Sequence, residues 1–351
     1  MDGETEVGDT PQGGTTWGRT WSDEVCDHVG ETIRLKGWVH HIRRLKHVGF
    51  LIVRDAHGTV QTVVDEDALL ALLEKLGHET VVAVTGTVEA CPAAPGGVEV
   101  RLSQVQVLGE AETPPFDLFR PELGLPLPTM LDHAALSLRH PRRRAVLQVA
   151  AASTYGFRTT LDDLGFTEIR TPKLVSAATE SGANVFPVEY FGRTAYLAQS
   201  PQFYKQMMVG VFERVYEVGP VFRAEPHDTP RHLNEYTSLD AEMAFIEDHR
   251  TVMGVLRDVV SGMVMAVNER SPDALARLET ELPVVPETIP SLTFQEALAL
   301  ISQDTGEDHS GKDDLAPAHE RWLGAWAARA HGSEFIFVTG YPRVKRPFYT
   351  H

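Results

Sequence analysis

The chain has 351 residues, of which 42% are hydrophobic and 23% charged, as is typical of a globular protein with room for two domains. Acidic residues outnumber basic ones by 49 to 32, and the formal net charge of -17 excludes a generally basic coat for nucleic acid while allowing a local basic patch. The two cysteines form no CxxC pair, which argues against a disulfide scaffold or a cysteine zinc site. With neither a long apolar run nor a signal-peptide pattern, we expect a cytoplasmic protein that does not enter a membrane.

The amino-terminal part of the chain predicts a flexible tail followed by a small β domain. Residues 1–30 are assigned to the tail because their beginning is polar, acidic and without periodicity. Residues 31–110 show alternating and short apolar segments, and a helix is predicted over 66–76. Strands are predicted at 33–39, 49–54, 59–64, 81–88 and 98–102. Five strands with a helix after the third are the layout of an OB-fold barrel, and another small β domain is the alternative.

The rest of the chain predicts a linker and a larger second domain, so that the whole is of the α+β class. Residues 111–141 are broken by prolines and form the linker. The second domain, 142–351, opens with a helix that runs to about Leu164, with Gly165 as its stop. Further helices are predicted at 201–212 and 248–270, and strands at 166–170, 194–198, 214–223 and 235–245. The alternation in the last strand favours an antiparallel sheet with helices beside it and one face open to a ligand.

The most informative segment is the charged hairpin at residues 214–243. Arg223 and Glu225 are two residues apart at the end of the first strand, so they are expected on one side of the sheet. Arg231 and His232 lie in the connecting loop. Acidic residues follow on the returning strand, at Glu235, Asp240 and Glu242. Arginine forks bind phosphate oxygens and carboxylates are ligands for Mg2+, so the hairpin could hold a polyphosphate and its metal. A hairpin with ordinary surface ion pairs is the alternative.

A second segment, residues 196–206, places Gln202 and Lys205 three residues apart on a predicted helix. Ser200 and Pro201 look like the cap and first turn of that helix. An amide and an ammonium on one helix face could bind a small anionic ligand. On spacing alone, an ordinary amphipathic helix explains the pattern as well.

Several motifs, in the same order, resemble those of class II aminoacyl-tRNA synthetases of the aspartyl/asparaginyl group. Residues 165–174 resemble the first motif of that family, and 222–245 resemble the second almost throughout. Residues 178–188 resemble the loop that closes over the amino acid, and 198–206 resemble the aspartate-type version of the substrate segment. Residues 37–61 resemble the anticodon-binding OB domain. The resemblance implies an OB-fold barrel joined to a class II antiparallel sheet domain.

The resemblance implies an ATP site in the hairpin. Arg223 would hold the α-phosphate of ATP and the α-carboxylate of the amino acid. Glu225 would contact the edge of the adenine, and Tyr236 would stack on its face. Arg231 and His232 would reach the outer phosphates.

The resemblance also implies an amino-acid site beside the ATP. Gln202 and Asp240 would hold the α-amino group, and Lys205 would face the side-chain carboxylate of aspartate. Glu180 would belong to the closing loop and Ser200 to the pocket wall.

In the OB domain the resemblance implies a tRNA-binding face. Phe50 would stack on an anticodon base and Gln61 would read one, because stacking needs only an aromatic face and an amide supplies a specific edge. Arg43 and Arg44 would contact phosphates and offset the overall acidity locally.

The implied chemistry is activation of aspartate. Its carboxylate would attack the α-phosphorus of ATP bound to Mg2+, pyrophosphate would leave, and the acyl group would pass to a tRNA of the Asp or Asn type. Positioning and charge neutralisation would supply the catalysis, since the nucleophile is already ionised. The resemblance further implies a homodimer.

The match departs from the family at the carboxyl end of the chain. Residues 340–351 resemble a strand in the middle of the family's catalytic domain. The strand that carries acidic metal ligands and the arginine for the aspartate side chain does not follow, nor does the third motif, whose arginine grips the γ-phosphate. Three readings remain open: a truncated synthetase that needs a missing part or a separate carboxyl-terminal subunit, a paralogue that acylates an acceptor other than tRNA, or a non-catalytic tRNA-binding or regulatory protein.

Aromatic and histidine residues near the end of the chain have plainer expectations. Trp322 and Trp326 are four residues apart and are expected to pack within a helix. His309, His319 and His331 have no metal-ligand spacing and are expected at the surface.

Overall fold

The structure is a computed structural model that describes residues 18–177, 185–226 and 232–345. Contacts between Cα atoms divide the chain into two compact units, residues 1–143 and 144–351.

The first unit contains a closed five-stranded barrel in the order β1-β2-β3-β5-β4. All neighbouring strands are antiparallel except β3 and β5, which are parallel. The strands and the helix after the third are β1 (Thr32–Arg44), β2 (Gly49–Arg54), β3 (Thr59–Val64), α1 (Asp67–Leu73), β4 (Val81–Ala90) and β5 (Val98–Gly109). The order and the barrel confirm the predicted OB-fold.

The barrel forms because one side of each alternating strand is apolar. Its core is built from residues that are nearly inaccessible to solvent, among them Val39, Leu51, Val64 and Val82. Burying such side chains stabilises the fold by about 1.5–3 kcal/mol each. The strands cross closely at Gly86, where a Cβ atom would overlap the backbone carbonyl of Arg101 on β5.

The described part of the predicted tail, residues 18–30, packs against the barrel instead of being flexible. Val25, in a short 3-10 turn, is 1% exposed and belongs to the barrel core. The Trp21 ring stacks on His57 with centroids 4.5 Å apart, and the Ser22 N–H donates to Asp55 over 2.8 Å. The tail assignment was therefore wrong for these residues, because a few apolar side chains in a polar segment are enough to dock it. Residues 1–17 lie outside the described part.

The predicted linker carries two short helices, α2 (Leu127–Asp132) and α3 (Ala134–Ser137). Just after α3, Arg139 donates to the Glu79 carboxylate over 2.6 Å. The same carboxylate accepts two hydrogen bonds from Arg54, at 2.7 and 2.9 Å, and both Arg54 and Glu79 are 4% exposed. The Phe119 ring stacks on His41 with centroids 3.9 Å apart. A buried charge network and an aromatic stack thus hold the linker on the barrel.

In its described residues, the second unit combines two long helices with three small sheets, in the orders β11-β10-β6, β7-β9-β8 and β12-β13. The elements up to the second long helix are α4 (Pro141–Asp163), β6 (Thr167–Glu168), β7 (Leu174–Val175), β8 (Pro187–Tyr190), β9 (Arg193–Leu197), α5 (Gln202–Phe212), β10 (Arg214–Phe222), β11 (Glu235–Met243) and α6 (His249–Arg270). After it come α7 (Pro272–Leu278), β12 (Ser291–Thr293), α8 (Phe294–Thr305), α9 (Pro317–His331) and β13 (Phe337–Thr339).

The core of this unit lies where α4 and α6 meet the sheet of β10. Phe157 and Leu161 of α4, Tyr216 of β10 and Val259 of α6 form one buried cluster. The Tyr216 hydroxyl donates to Asp162 over 2.8 Å, so its polar end is satisfied. Since the helices cover one face of the sheet, the opposite face is left for a ligand.

Within the described residues, α6 is the one helix that is long and apolar enough to cross a membrane by length and composition. Sequence reading did not anticipate this, because polar residues interrupt its apolar stretches. In the fold Val259 belongs to the core shared with α4, and Ala266 lies beside Gly156, where a Cβ atom would approach within 2.8 Å of it. Packing in the fold therefore accounts for part of this apolar character.

Helices α8 and α9 enclose a smaller core with the parallel pair β12 and β13. Trp322 packs against it, as expected, and its indole N–H donates to Asp304 over 2.6 Å. The expectation of surface histidines was wrong for His309 and His319, which are each 6% exposed with ring centroids 4.8 Å apart. Each ring lies against the other and shields it from solvent. Local sequence spacing does not reveal this contact.

Candidate functional site

The candidate site lies on one face of β11, on alternate residues of that strand. Tyr236, Ser238, Asp240 and Glu242 are partly buried, and the residues between them point to the other face. β11 pairs antiparallel with β10 over its full length, with Glu217 opposite Asp240. The hairpin therefore carries a row of polar side chains about 20 Å long on a rigid ladder.

Lys205 forms the centre of this row. Its ammonium donates to Asp240 over 2.9 Å and lies 3.4 Å from the Glu242 carboxylate, while Ser238 donates to the other oxygen of Asp240. Lys205 is 12% exposed. Burial opposes its charge, but the two carboxylates outweigh burial and raise the pKa of Lys205 above its ordinary value. The ammonium is therefore held charged between two acids.

The start of α5 positions Lys205 and Gln202 together. The Ser200 hydroxyl accepts from the Gln202 N–H over 3.2 Å, and both residues are buried. The Ala198 carbonyl accepts from the Phe222 N–H over 2.9 Å, which ties this segment to the end of β10. Gln202 and Lys205, on one helix face as predicted, are thus both withdrawn from solvent.

Arg223 and Tyr236 lie together at the other end of the row. The Arg223 guanidinium is 5.9 Å from the centroid of the Tyr236 ring, within the range of a cation–π contact. Arg223 is half-buried and its backbone N–H donates to the Asn234 carbonyl over 3.0 Å. Arg223 follows β10, which ends at Phe222. The prediction that Arg223 lies on the strand was therefore wrong by one residue. Tyr236 and Asp240 are about 13 Å apart along β11.

The remaining hairpin residues are less enclosed. Glu225 is half-buried just after Arg223, with its N–H donating to the Arg223 carbonyl over 2.8 Å. His232 is exposed at the start of the returning arm. Arg231 and Glu180 lie outside the described residues.

Two residues of the site were not found by sequence reading. Ser238 follows the period of two along β11, and that signal could have revealed it. Glu217 is 3% exposed and accepts from Lys173 over 2.8 Å and from the Thr171 N–H over 2.8 Å. It anchors the segment after β6 to β10, and no local pattern marks a carboxylate for such a role.

In the barrel, Phe50 and Gln61 lie on the outer surface of β2 and β3. The Arg43 guanidinium lies 4.6 Å from the centroid of the Phe50 ring, to which it is the cross-strand neighbour. The Gln61 side-chain amide donates to Glu99 over 3.0 Å. Arg44 is ion-paired with Glu74. Arg43 and Arg44, expected at phosphates, thus both have contacts within the barrel.

Among residues 18–177, 185–226 and 232–345, no group of three or more His, Cys, Asp or Glu side chains is arranged to hold a metal ion. Within this described part of the chain, the site therefore offers no complete set of ligands for a metal held by the protein alone.

Comparison with known proteins places this architecture in a family. Residues 127–351 match the family of class II tRNA synthetases of the D, K and N type, and residues 33–108 match the OB-fold nucleic acid binding domain. The chain belongs to the class II tRNA synthetase family.

Within that family it is similar to aspartate–tRNA ligases. It is 46% identical over 334 residues to the aspartate–tRNA(Asp/Asn) ligase of Deinococcus radiodurans, covering 95% of this chain and 75% of the relative. It is 43% identical to the ligase of the same name from Thermus thermophilus, covering 92% and 75%. The chain thus spans about three quarters of the length of these relatives.

Solved structures agree with the fold. The asparaginyl-tRNA synthetase of Pyrococcus horikoshii, complexed with asparaginyl-adenylate, superposes with a TM-score of 0.85 at 31% identity and covers 95% of this chain and 76% of that one. The aspartyl-tRNA synthetase of Entamoeba histolytica superposes with a TM-score of 0.82 at 26% identity, covering 95% and 73%.

Proposed function

We propose that this protein activates aspartate with ATP to aspartyl-adenylate and transfers it to tRNA of the Asp or Asn type. The observation that carries the proposal is Lys205 held between Asp240 and Glu242 on the polar face of β11. Free aspartate has one ammonium and two carboxylates. The two acids would receive its ammonium and Lys205 its side-chain carboxylate, so the charges of the site complement those of the substrate.

Each residue would act by position and charge. Gln202 and Asp240 would hold the α-amino group and Ser200 would form the wall beside them. Arg223 would neutralise the α-phosphate and the reacting carboxylate, while Tyr236 would stack on adenine. The distance of about 13 Å between the two ends of the row suits an extended ligand with two parts. The substrate carboxylate is already ionised, so no general base is required.

The other nucleotide contacts follow from the family resemblance. Glu225 would accept from the adenine edge, and Arg231 and His232 would bind the outer phosphates. Glu180 would close over the amino acid. Mg2+ would enter as part of the substrate MgATP, with the phosphates supplying its ligands, and would neutralise charge on the leaving pyrophosphate.

For the barrel we propose an anticodon-binding face. Phe50 would stack on a base, with the Arg43 guanidinium extending the platform or moving to a phosphate. Gln61, whose N–H is engaged by Glu99, presents its carbonyl oxygen as an acceptor for a base. Arg44 would leave its ion pair with Glu74 and bind a phosphate instead. These contacts rest on the position of the side chains on one outer surface of the barrel.

We further propose the division into a barrel domain over 31–110, a linker over 111–141 and a catalytic-like domain over 142–351, in a cytoplasmic homodimer. A separate carboxyl-terminal subunit is part of the proposal, because about a quarter of the length of these relatives lies outside their match to this chain.

The direct test is aspartate-dependent exchange of pyrophosphate into ATP by the purified chain, alone and with the unmatched portion of the Deinococcus radiodurans ligase. We expect exchange with aspartate and little with asparagine. Lys205→Met should reduce it by about tenfold to a hundredfold, as expected for loss of a charged hydrogen bond. Arg250→Met is the matched control, because Arg250 is exposed at the start of α6.

Absence of exchange with every amino acid in both preparations would reject activation. Binding of bulk tRNA that persists in that case would favour a non-catalytic binding protein. Exchange without acylation of tRNA would favour an acceptor other than tRNA. For the barrel, unchanged tRNA affinity in Phe50→Ala and Gln61→Ala would contradict the anticodon face.

A further inference from the structure

Glu217 is a buried acid on the site face of β10. It is 3% exposed. Its neighbour Tyr216 belongs to the apolar cluster of α4 and α6, and Val218 packs against that cluster, so Glu217 points to the opposite face. On β11 it stands directly opposite Asp240. Side chains in such a pair share a face with their Cβ atoms about 5 Å apart, so Glu217 lies beside the carboxylate proposed to bind the ammonium of the substrate.

Both carboxylate oxygens of Glu217 are engaged by the segment that follows β6. Oε1 accepts from the Thr171 N–H over 2.8 Å. Oε2 accepts from the Thr171 hydroxyl over 2.7 Å and from the Lys173 ammonium over 2.8 Å. The ammonium lies over Gly219, where a Cβ atom would be 3.4 Å from the ammonium nitrogen, so the missing side chain leaves room for it. We call Thr171, Lys173 and Glu217 the Glu217 network.

The Glu217 network is hydrogen-bonded to the segment that carries Ser200 and Gln202. The Lys173 carbonyl accepts from the Ala198 N–H over 2.9 Å. Two residues further on, the Ser200 hydroxyl accepts from the Gln202 N–H over 3.2 Å. A continuous path of hydrogen bonds and short backbone therefore leads from β10, through Lys173, to the first turn of α5.

The position of this network says more about the site than its charges say about stability. A buried ion pair is weak evidence for stability, because taking two charges out of water costs about as much as their attraction returns. The network does connect two groups that belong to different elements. Asp240 lies on the β ladder opposite Glu217, and Gln202 lies at the start of α5, at the far end of the path.

We propose that Glu217 is a positioning residue that sets the distance between Gln202 and Asp240, and thereby the affinity of the site for the α-amino group of the amino acid. It acts through Thr171 and Lys173 and touches no part of the substrate. This rests on the proposed function, since the proposed function assigns Gln202 and Asp240 to that amino group.

The hydrogen bonds of the network predict an unusual pattern of substitutions. In Glu217→Gln, the amide oxygen can still accept from the Thr171 N–H, and the amide NH2 can donate to the Thr171 hydroxyl. The same NH2 then faces the Lys173 ammonium, and two donors lie together without an acceptor. Lys173→Met removes that conflict, because methionine is unbranched and carries no donor. The double variant should therefore keep the network that Glu217→Gln alone disrupts.

The experiment uses the full chain, well below the lowest melting temperature among the variants. Calorimetry gives the dissociation constant of aspartate, and pyrophosphate exchange gives KM for aspartate and for ATP. We expect Glu217→Gln to raise the dissociation constant and KM of aspartate about tenfold, as for loss of a charged hydrogen bond, and to change KM for ATP less than about twofold. Hydrogen exchange at the Ala198 amide should become faster. Glu217→Gln with Lys173→Met should return the aspartate values to within about threefold of the parent.

Two control variants separate positioning from general damage. Glu217→Ala with Lys173→Met leaves Thr171 without a hydrogen-bond partner and should bind aspartate as weakly as Glu217→Gln. Glu168→Gln should leave aspartate affinity unchanged, because Glu168 accepts from Arg158 of α4 and lies on the other face of the sheet.

Unchanged aspartate affinity in Glu217→Gln, an equal rise of KM for aspartate and ATP, or a double variant no better than the single one would overturn the inference. A double variant that regains the melting temperature but not aspartate affinity would also overturn it, by showing a role in stability alone. Aspartate binding that follows the expected pattern without any pyrophosphate exchange would keep the inference and reject activation. Exchange with a KM for aspartate that Glu217→Gln does not move would keep the activity and reject the inference. Absence of both aspartate binding and exchange would reject both.

Discussion

The buried network of Arg54, Glu79 and Arg139 should respond strongly to the loss of one charge. Glu79→Gln removes the carboxylate that accepts three hydrogen bonds and leaves Arg54 charged at 4% exposure. Breaking a buried pair from one side costs about 3–5 kcal/mol, because the remaining charge has no partner. We expect the barrel to lose that much free energy of unfolding, a large share of a domain's stability.

The assay is hydrogen exchange of the β1 and β4 amides in the full chain, which reports the unfolding of the barrel by itself. The matched control is Glu89→Gln, because Glu89 is paired with Arg101 on the surface of the same barrel, where both are about two-fifths exposed. Exposed pairs contribute about 0–1 kcal/mol. We expect burial, and not ion pairing by itself, to set the size of the loss in unfolding free energy. A Glu79→Gln variant that is as stable as Glu89→Gln, or more stable, would refute this reasoning.

The same network predicts acid sensitivity of the barrel. Burial, and next the charge of Arg54, lower the pKa of His40 from 6.5 to about 4. Below pH 6.5 the unfolded chain therefore binds a proton that the folded barrel does not bind. The free energy of unfolding falls by about 3 kcal/mol as the pH drops from 6.5 to about 4. Arg54 and Arg139 lower the pKa of Glu79 against the effect of its burial, so its contribution is also lost on the acid side. Urea titrations across this range measure the slope, which a flat profile would contradict.

Three further predictions concern the second unit. Lys205→Arg should retain more exchange activity than Lys205→Met, because a charge remains between the two acids, and equal loss would show that shape matters more than charge. Glu217→Gln should destabilise this unit by about 2–4 kcal/mol, since Lys173 loses a buried partner, as measured by urea unfolding. Gly156→Val should lower the melting temperature by several degrees, because a Cβ at Gly156 would lie 2.6 Å from the Gly262 carbonyl oxygen, whereas Gly254→Ala, with open space around it, should not.

The sequence predicts the barrel and the central hairpin well because both depend on local alternation. Strands β2 and β3 begin and end at the predicted residues, and β10 and β11 differ from prediction by one or two. The pairing of Gln202 with Lys205 is likewise a local property of a helix. The boundaries of β6, only two residues long, could not be read, since its pairing with β10 and not its composition defines it.

The sequence alone does not reveal contacts between residues that are far apart in the chain. Nothing near Arg54 indicates that its partner Glu79 is 25 residues away, or that Arg139, another 60 residues along, binds the same carboxylate, because an isolated charge in an alternating strand is usually solvated. His309 and His319 appear exposed for the same reason. The Lys205–Asp240 contact joins α5 to β11, and only the family resemblance brings both residues into one site before the fold is known.

The two faces of β11 together fix the register on which the site depends. A slip of one residue against β10 would turn Asp240 toward the apolar residues of α4 and α6 that lie near Leu239 and Ala241, and would bring Leu239 and Ala241 to Lys205. Both changes are unfavourable, because the carboxylate would lose its contact with the Lys205 ammonium and apolar side chains would lie on a polar face. Lys205 therefore selects the register in which it can bind its two acids, and the apolar residues on the other face of β11 reinforce that selection. Site geometry and hairpin stability are consequences of the same alternation, so a variant that removes the ammonium should loosen the hairpin as well as weaken binding of a substrate.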